Sequence, residues 1–173
     1  IAQDKQTFGS GDFIESEIYK TCIDTLQNPK NKKVRLMALS GMGKTRTIGE
    51  AFKGREDIYY SPISQDIESG LHYLMRNIDH GVIVIDNCPI EHFLDAEAII
   101  DSYGKEIRTV SVINILTKAE AGHGQWEFIL DNENNDDVID KLIKRAEIED
   151  VEIRHKIEEY SGGISLMAIE LIR

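Results

Sequence analysis

The sequence predicts an α/β fold in which five mainly parallel strands form one sheet with helices on its faces. The segment 34–52 is an apolar run that passes through a glycine turn into an amphipathic helix. The run 82–85 consists of four consecutive β-branched residues, which is typical of a strand covered on both faces. Such runs alternate with segments whose apolar residues recur at helical spacing, and this favours parallel strands joined by crossover helices.

Length and composition limit the class of protein. The chain has 173 residues, of which 41% are hydrophobic and 29% charged, so we expect one ordered core with a small appendage. No apolar run approaches the roughly 20 residues that cross a bilayer, and no signal peptide is recognisable, so we expect a soluble, cytoplasmic protein without a membrane partner. The first residue is Ile1, which favours a piece of a longer protein. The net charge of −11 argues against direct nucleic-acid binding by this segment.

The two cysteines, Cys22 and Cys88, are far apart in the sequence and have no metal-ligand spacing. We therefore predict two buried free thiols.

Residues 38–45 read ALSGMGKT and follow the phosphate-binding pattern GxxxxGK[ST], except that Ala38 replaces the first glycine. Gly41 and Gly43 permit backbone conformations that turn successive N–H groups inward at the positive end of the following helix. The alternative is a glycine-rich turn with a surface lysine. The predicted nucleotide-binding segment consists of Ser40, Gly41, Met42, Gly43, Lys44, Thr45 and Arg46.

Two positions predict a magnesium site beside the phosphates. The Thr45 hydroxyl follows Lys44, whose charge reaches the β- and γ-phosphates, and is placed to coordinate Mg²⁺. Asp86 directly follows the run 82–85, at the carboxyl edge of the sheet where ligands bind in such folds. The alternative for Asp86 is that it only caps the next helix.

The predicted catalytic residues are Lys44, Asp86, Asn87 and Thr117. Asn87 stands where many hydrolytic proteins of this architecture carry a second acid, and an amide cannot accept the proton of the attacking water. We therefore expect slow turnover, unless Glu91 or Asp95 supplies the carboxylate. Thr117 follows the predicted fourth strand, 109–116, and is either a sensor of the γ-phosphate or an ordinary strand-end residue.

The other elements follow from hydrophobic spacing. A helix covers 18–26, and Phe13 and Ile14 before it are candidates to lie over the adenine ring. Further strands are predicted at 58–60 and 126–130, and further helices at 67–78 and 93–103, the last one ended by Gly104. Beyond 131 the period becomes wholly helical. We predict a nucleotide-binding domain over 1–131 and an incomplete helical lid over 132–173.

In this order, the segments LSGMGKTR, VIVIDNCP, SVINILT, WEFIL and EEYSGGISLMAIEL resemble the nucleotide-binding core of STAND NTPases, which are relatives of AAA+ and NB-ARC proteins. Within that group the sequence is most similar to bacterial AVAST-type antiviral proteins. The resemblance covers about residues 13–173 and implies an ATP- or ADP-bound switch with Mg²⁺ that oligomerises when activated. It also implies sensor and effector domains elsewhere in the full-length chain.

The resemblance also shows departures. The Gly-Arg pair that often follows the base-contacting segment is Glu15-Ser16 here. The lid proline of the Gly-x-Pro motif is replaced by Ser165, after Gly163 and Ile164. Two other functions stay open: a steadily cycling AAA+ motor or loader, and a small-molecule kinase, for which neither an acceptor pocket nor an arginine-rich lid is recognisable.

Overall fold

The computed structural model describes residues 13–62, 67–115, 127–131 and 135–173 of the chain. Five strands are present in these ranges: β1 (Lys33–Ala38), β2 (Ile58–Pro62), β3 (His80–Asp86), β4 (Glu106–Asn114) and β5 (Glu127–Leu130). The helices are α1 (Glu17–Gln27), α2 (Lys44–Ala51), α3 (Ile67–Asn77), α4 (Ile90–Ser102), α5 (Asp136–Arg145), α6 (Val151–Ser161) and α7 (Ser165–Ile172).

The strands form one sheet in the order β2-β3-β4-β1-β5, and every pairing is parallel. The predicted α/β fold with a five-stranded sheet flanked by helices is thereby confirmed. Because β1 lies between β4 and β5, the loop after its carboxyl end is flanked by neighbouring strands on both sides. Groups that follow β3 and β4 lie at the same edge, since all five strands point the same way.

The run 82–85 shows how the sheet is covered. Val82 and Val84 pack into the cluster under α1 and α2, whereas Ile83 and Ile85 pack into the cluster under α3 and α4. All four side chains are buried, as expected for a strand between two helical layers. Both cysteines are buried free thiols, which confirms the prediction for them.

The three helices at the end of the chain share a small cluster built on Ile139, Ile143, Ile157 and Ala168. Val138, on α5, also packs into the cluster under α1 and α2. This C-terminal helical segment, residues 135–173, therefore lies against the sheet domain on the α1 side. In the described ranges, no helix combines the length and the apolar character needed to span a membrane.

Candidate nucleotide-binding site

The loop between β1 and α2 has the backbone that the glycine pattern predicts. Ala38 ends β1, where extended backbone accepts any residue. Gly41 and Gly43 have φ angles of 84° and 79°, in the left-handed region that favours glycine. Gly43 is the N-cap of α2 and offers no side-chain acceptor, unlike Ser16 at the start of α1. The first N–H groups of α2 point out of the helix end, where a helix cannot satisfy them internally and where an anion could accept hydrogen bonds.

Lys44 is buried, and its ammonium group has three hydrogen-bond acceptors at the carboxyl edge of the sheet. Nζ donates to three oxygens: the carbonyls of Ala38 at 3.1 Å and Leu39 at 2.8 Å, and Asn114 Oδ1 at 2.6 Å. Burial lowers the pKa of Lys44 to about 8, and the nearby Asp86 carboxylate opposes this shift. The charge is therefore fixed at the carboxyl ends of β1 and β4.

Asn114 is a candidate site residue that the sequence did not predict. It ends β4, three residues before the predicted sensor Thr117, which lies outside the described residues. The predicted strand, 109–116, begins and ends later along the chain than the observed β4. The reason is that β1 leaves the sheet after Ala38, the partner of Asn114, so β4 loses its neighbour at that point. A lone amide in the apolar run VINIL was the available signal.

Asp86 ends β3 and is held on both carboxylate oxygens. Oδ1 accepts the N–H of Asn87 at 2.9 Å, and Oδ2 accepts a hydrogen bond from the Tyr60 hydroxyl. The N-cap of α4 is Pro89, which makes no side-chain capping hydrogen bond, and both oxygens of Asp86 are bonded elsewhere. Asp86 therefore does not cap the following helix.

Asn87 has a φ of 53°, a left-handed conformation that asparagine tolerates better than most residues. Its Oδ1 accepts from Asn114 Nδ2 at 3.2 Å. Hydrogen bonds therefore connect the side chains of Asn87, Asn114 and Lys44 across the carboxyl ends of three strands. Glu91 lies in the first turn of α4 and Asp95 one turn later, and both are exposed.

Thr45 and Asp86 are joined through Tyr60. The Tyr60 hydroxyl bonds both the Asp86 carboxylate and the Thr45 side chain, and burial, together with Asp86, raises the pKa of Tyr60 far above its usual range. Within the described residues, no group of three or more His, Cys, Asp or Glu forms a metal cage. Two oxygen donors fit Mg²⁺ all the same, because this ion keeps several waters and takes further ligands from phosphates.

The candidate base contacts lie beside α1. Phe13 and Ile14 are partly buried against the cluster under α1 and α2, and the Phe13 ring meets the Tyr19 ring edge-on at 5.7 Å between centroids. A cavity of about 460 Å³ opens next to Phe13, with Lys20, Ile23 and Glu50 among its lining residues. Residues 38–45, which we call the phosphate loop after their sequence pattern, are not part of this lining, so the cavity is separate from that loop.

The C-terminal helical segment contacts the phosphate loop directly. The N–H of Leu166 donates to the carbonyl oxygen of Gly41 at 3.2 Å. A Cβ atom at Gly41 would lie 2.9 Å from Leu166 Cβ and 3.0 Å from Ile164 Cγ2. Gly41 is thus required both by its φ and by this close approach. Ser40 is exposed beside it, and Arg46 is half-buried in the first turn of α2.

Ser165, where the resemblance predicts a proline, lies in a polar cluster. Its Oγ accepts from Asn135 Nδ2 at 3.0 Å and lies 3.3 Å from the Tyr19 hydroxyl. Tyr19 in turn donates to the carbonyl oxygen of Met42 at 2.7 Å. Asn135 is fully buried and also donates to the Gly163 carbonyl at 2.7 Å. A serine thus links α5, α7, α1 and the phosphate loop through hydrogen bonds.

No protein-family model and no curated protein sequence matches the chain. Among solved structures, its fold is similar to a Signal Transduction ATPase with Numerous Domains (STAND) protein with a tetratricopeptide repeat sensor from Pyrococcus horikoshii. The TM-score is 0.57 at 13% identity, over 97% of this chain and 31% of that one. This chain thus spans less than a third of that protein, and the likeness shows the fold alone.

Two further structures have lower scores. C. elegans PCH-2 gives a TM-score of 0.48 at 13% identity, over 91% of this chain and 62% of that one. Drosophila ORC bound to DNA gives 0.38 at 10% identity, over 81% and 49%. The fold comparison therefore rests on the STAND protein.

Proposed function

We propose that this chain is the ATP- and ADP-binding core of a nucleotide-dependent conformational switch with slow ATP hydrolysis. The observation that carries the proposal is the contact between Leu166 and Gly41, through which the C-terminal helical segment rests on the phosphate loop. A bound phosphate acts on the same backbone that holds this segment. A ligand shifts such an equilibrium only by binding one arrangement better than the other, and this contact gives the nucleotide a means to do so.

Each group of the site has a role in this proposal. The loop N–H groups and Lys44 bind the phosphates, while Thr45 and Asp86 hold Mg²⁺, which would neutralise phosphate charge. Asn114 lies beside Lys44 and, together with the predicted Thr117, would sense the γ-phosphate. Asn87 cannot act as a base, so turnover is slow. Residues 1–131 form the nucleotide-binding domain in this scheme, and residues 132–173 form the lid.

The wider setting is part of the same proposal. An activated chain would form a homo-oligomer, with a neighbouring arginine aiding hydrolysis. Sensor and effector domains would belong to the full-length protein, acting in the cytoplasm in bacterial antiphage defence of the AVAST type. The sequence motifs support this setting, together with the fold shared with a STAND ATPase.

Nucleotide content and turnover test the proposal. The purified chain should release ADP on denaturation, bind ADP in calorimetry and hydrolyse ATP slowly as measured by phosphate release. Lys44→Ala should abolish binding, whereas Lys30→Ala removes an equal charge from an exposed position and should leave it unchanged. Absence of any affinity for ADP or ATP in the wild-type chain would overturn the proposal. Steady, fast hydrolysis would favour the alternative, a cycling AAA+ motor or loader.

A further inference from the structure

A tyrosine hydroxyl connects the two candidate magnesium ligands. Tyr60 donates to Asp86 Oδ2 and also hydrogen-bonds the side chain of Thr45. Neither the phosphate-loop pattern nor the acid that ends β3 requires an aromatic residue on β2. The contact is therefore a feature of this chain's own tertiary structure.

The strand register explains how Tyr60 reaches this position. In the parallel pairing of β2 with β3, Tyr60 lies opposite Val84, and Asp86 follows two residues further along β3. Side chains two residues apart share a face, so Tyr60 and Asp86 are diagonal neighbours, within reach for an aromatic side chain. This face is covered by α2, whose first turn carries Thr45. Tyr59 packs on the opposite face, under α3 and α4.

The hydrogen bonds fix the Asp86 carboxylate completely. Oδ2 is held by Tyr60 and Oδ1 by the backbone N–H of Asn87 at 2.9 Å, so the carboxylate cannot rotate without breaking one of them. A hydrogen bond to a carboxylate is stronger than one between neutral groups. Groups that hydrogen-bond a metal-binding carboxylate orient it, and the loss of such a group typically lowers metal affinity by about 10- to 100-fold.

We infer that Tyr60 is a positioning residue of the magnesium site, because its hydroxyl holds Asp86 and Thr45 in the arrangement that receives the hydrated ion. This inference rests on the proposed nucleotide-binding function and deepens it. Tyr60 acts through its two partners and is not itself a ligand. Its ring packs against the cluster under α1 and α2, which fixes the position of the hydroxyl.

The test compares Tyr60→Phe with wild type and with Tyr59→Phe. Each substitution removes one hydroxyl from β2 and keeps the ring, so packing is preserved while only the Tyr60 variant loses the bonds to Asp86 and Thr45. The apparent Mg²⁺ affinity is measured by titrating Mg²⁺ into the chain with a fluorescent ADP, and Mn²⁺ binding is followed by electron paramagnetic resonance. ADP affinity in excess EDTA serves as the metal-free reference, and thermal unfolding verifies that each variant is folded.

We expect Tyr60→Phe to lower the apparent metal affinity about 10- to 100-fold, with ADP affinity in EDTA unchanged. Tyr59→Phe should behave like wild type in both measurements. Unchanged or tighter metal binding by Tyr60→Phe would overturn the inference while leaving the nucleotide site intact. A wild-type chain that binds no nucleotide, with or without metal, would overturn the proposed function and this inference together.

Discussion

The backbone N–H of Leu166 donates to the carbonyl oxygen of Gly41 at 3.2 Å, which joins the first turn of α7 to the phosphate loop. The two residues are distant in sequence and belong to the C-terminal helical segment and the sheet domain, respectively. Their contact is close enough that a methyl group at Gly41 would overlap the Leu166 side chain. Changes at this contact should therefore alter both nucleotide binding and the position of the helical segment.

Gly41→Ala should destabilise the protein more than Gly54→Ala. Gly54 has a φ of 81°, close to the 84° of Gly41, but an added Cβ there would meet nothing within 4 Å. Both variants carry the backbone strain of a left-handed alanine, roughly 1–2 kcal/mol. Only Gly41→Ala adds the overlap with Leu166, which should cost about 1–3 kcal/mol more in urea unfolding. Equal losses would show that the contact with α7 contributes nothing.

Tyr19→Phe should weaken the link between α1, the loop and α7. The variant loses the donor to the Met42 carbonyl and the contact with Ser165, while its ring stays in the core. We expect a loss of about 1 kcal/mol in the free energy of unfolding and weaker ADP binding in calorimetry. Tyr73→Phe removes a hydroxyl from an exposed side chain and is the matched control. Wild-type ADP affinity in Tyr19→Phe would contradict a role for this link in nucleotide binding.

Asn114→Ala should weaken the binding of ATP more than the binding of ADP. The variant removes one of the three acceptors of Lys44 and the amide that contacts Asn87. Loss of one positioned polar group costs roughly 100- to 1,000-fold in turnover where it stabilises developing charge. We therefore expect slower phosphate release and weaker ATP binding, with ADP affinity nearly unchanged because ADP has no γ-phosphate. Asn77→Ala, at an exposed position of α3, controls for the amide deletion, and an equal effect on ADP and ATP would refute a sensing role.

Asn87→Glu should raise the basal hydrolysis rate or leave it unchanged, because a carboxylate can accept the proton that an amide cannot. The left-handed φ of 53° makes the substitution cost about 1 kcal/mol of stability. Asn87→Gly keeps that backbone without strain and removes the side chain, so it separates the loss of the amide from the gain of an acid. If Asn87→Glu abolished phosphate release, the amide itself would have a direct role.

Local patterns were sufficient to predict much of the sheet and the loop. The unbroken β-branched run 82–85 can only be buried on both sides, and it is. The glycines at 41 and 43 were predicted to adopt special backbone conformations, and both have positive φ. These properties depend on neighbouring residues, so the sequence contains them directly.

Strand ends and cross-chain contacts could not be predicted in the same way. The end of β4 was predicted wrongly because it depends on where its partner β1 leaves the sheet. No pattern within 106–117 indicates that point. Asn114 was consequently overlooked as the partner of Lys44. Tyr60 was treated only as a strand residue, although register brings it to Asp86.

The sequence by itself determined the alternation of strands and helices, the phosphate-loop backbone and the acid at the end of β3, because each depends on residues adjacent along the chain. Only the tertiary structure decided that Tyr60 lies between Thr45 and Asp86, that Asn114 holds Lys44, and that α7 rests on Gly41. These relationships arise from strand order and register. Packing brings together groups separated by tens of residues, and no local pattern encodes the distance between them.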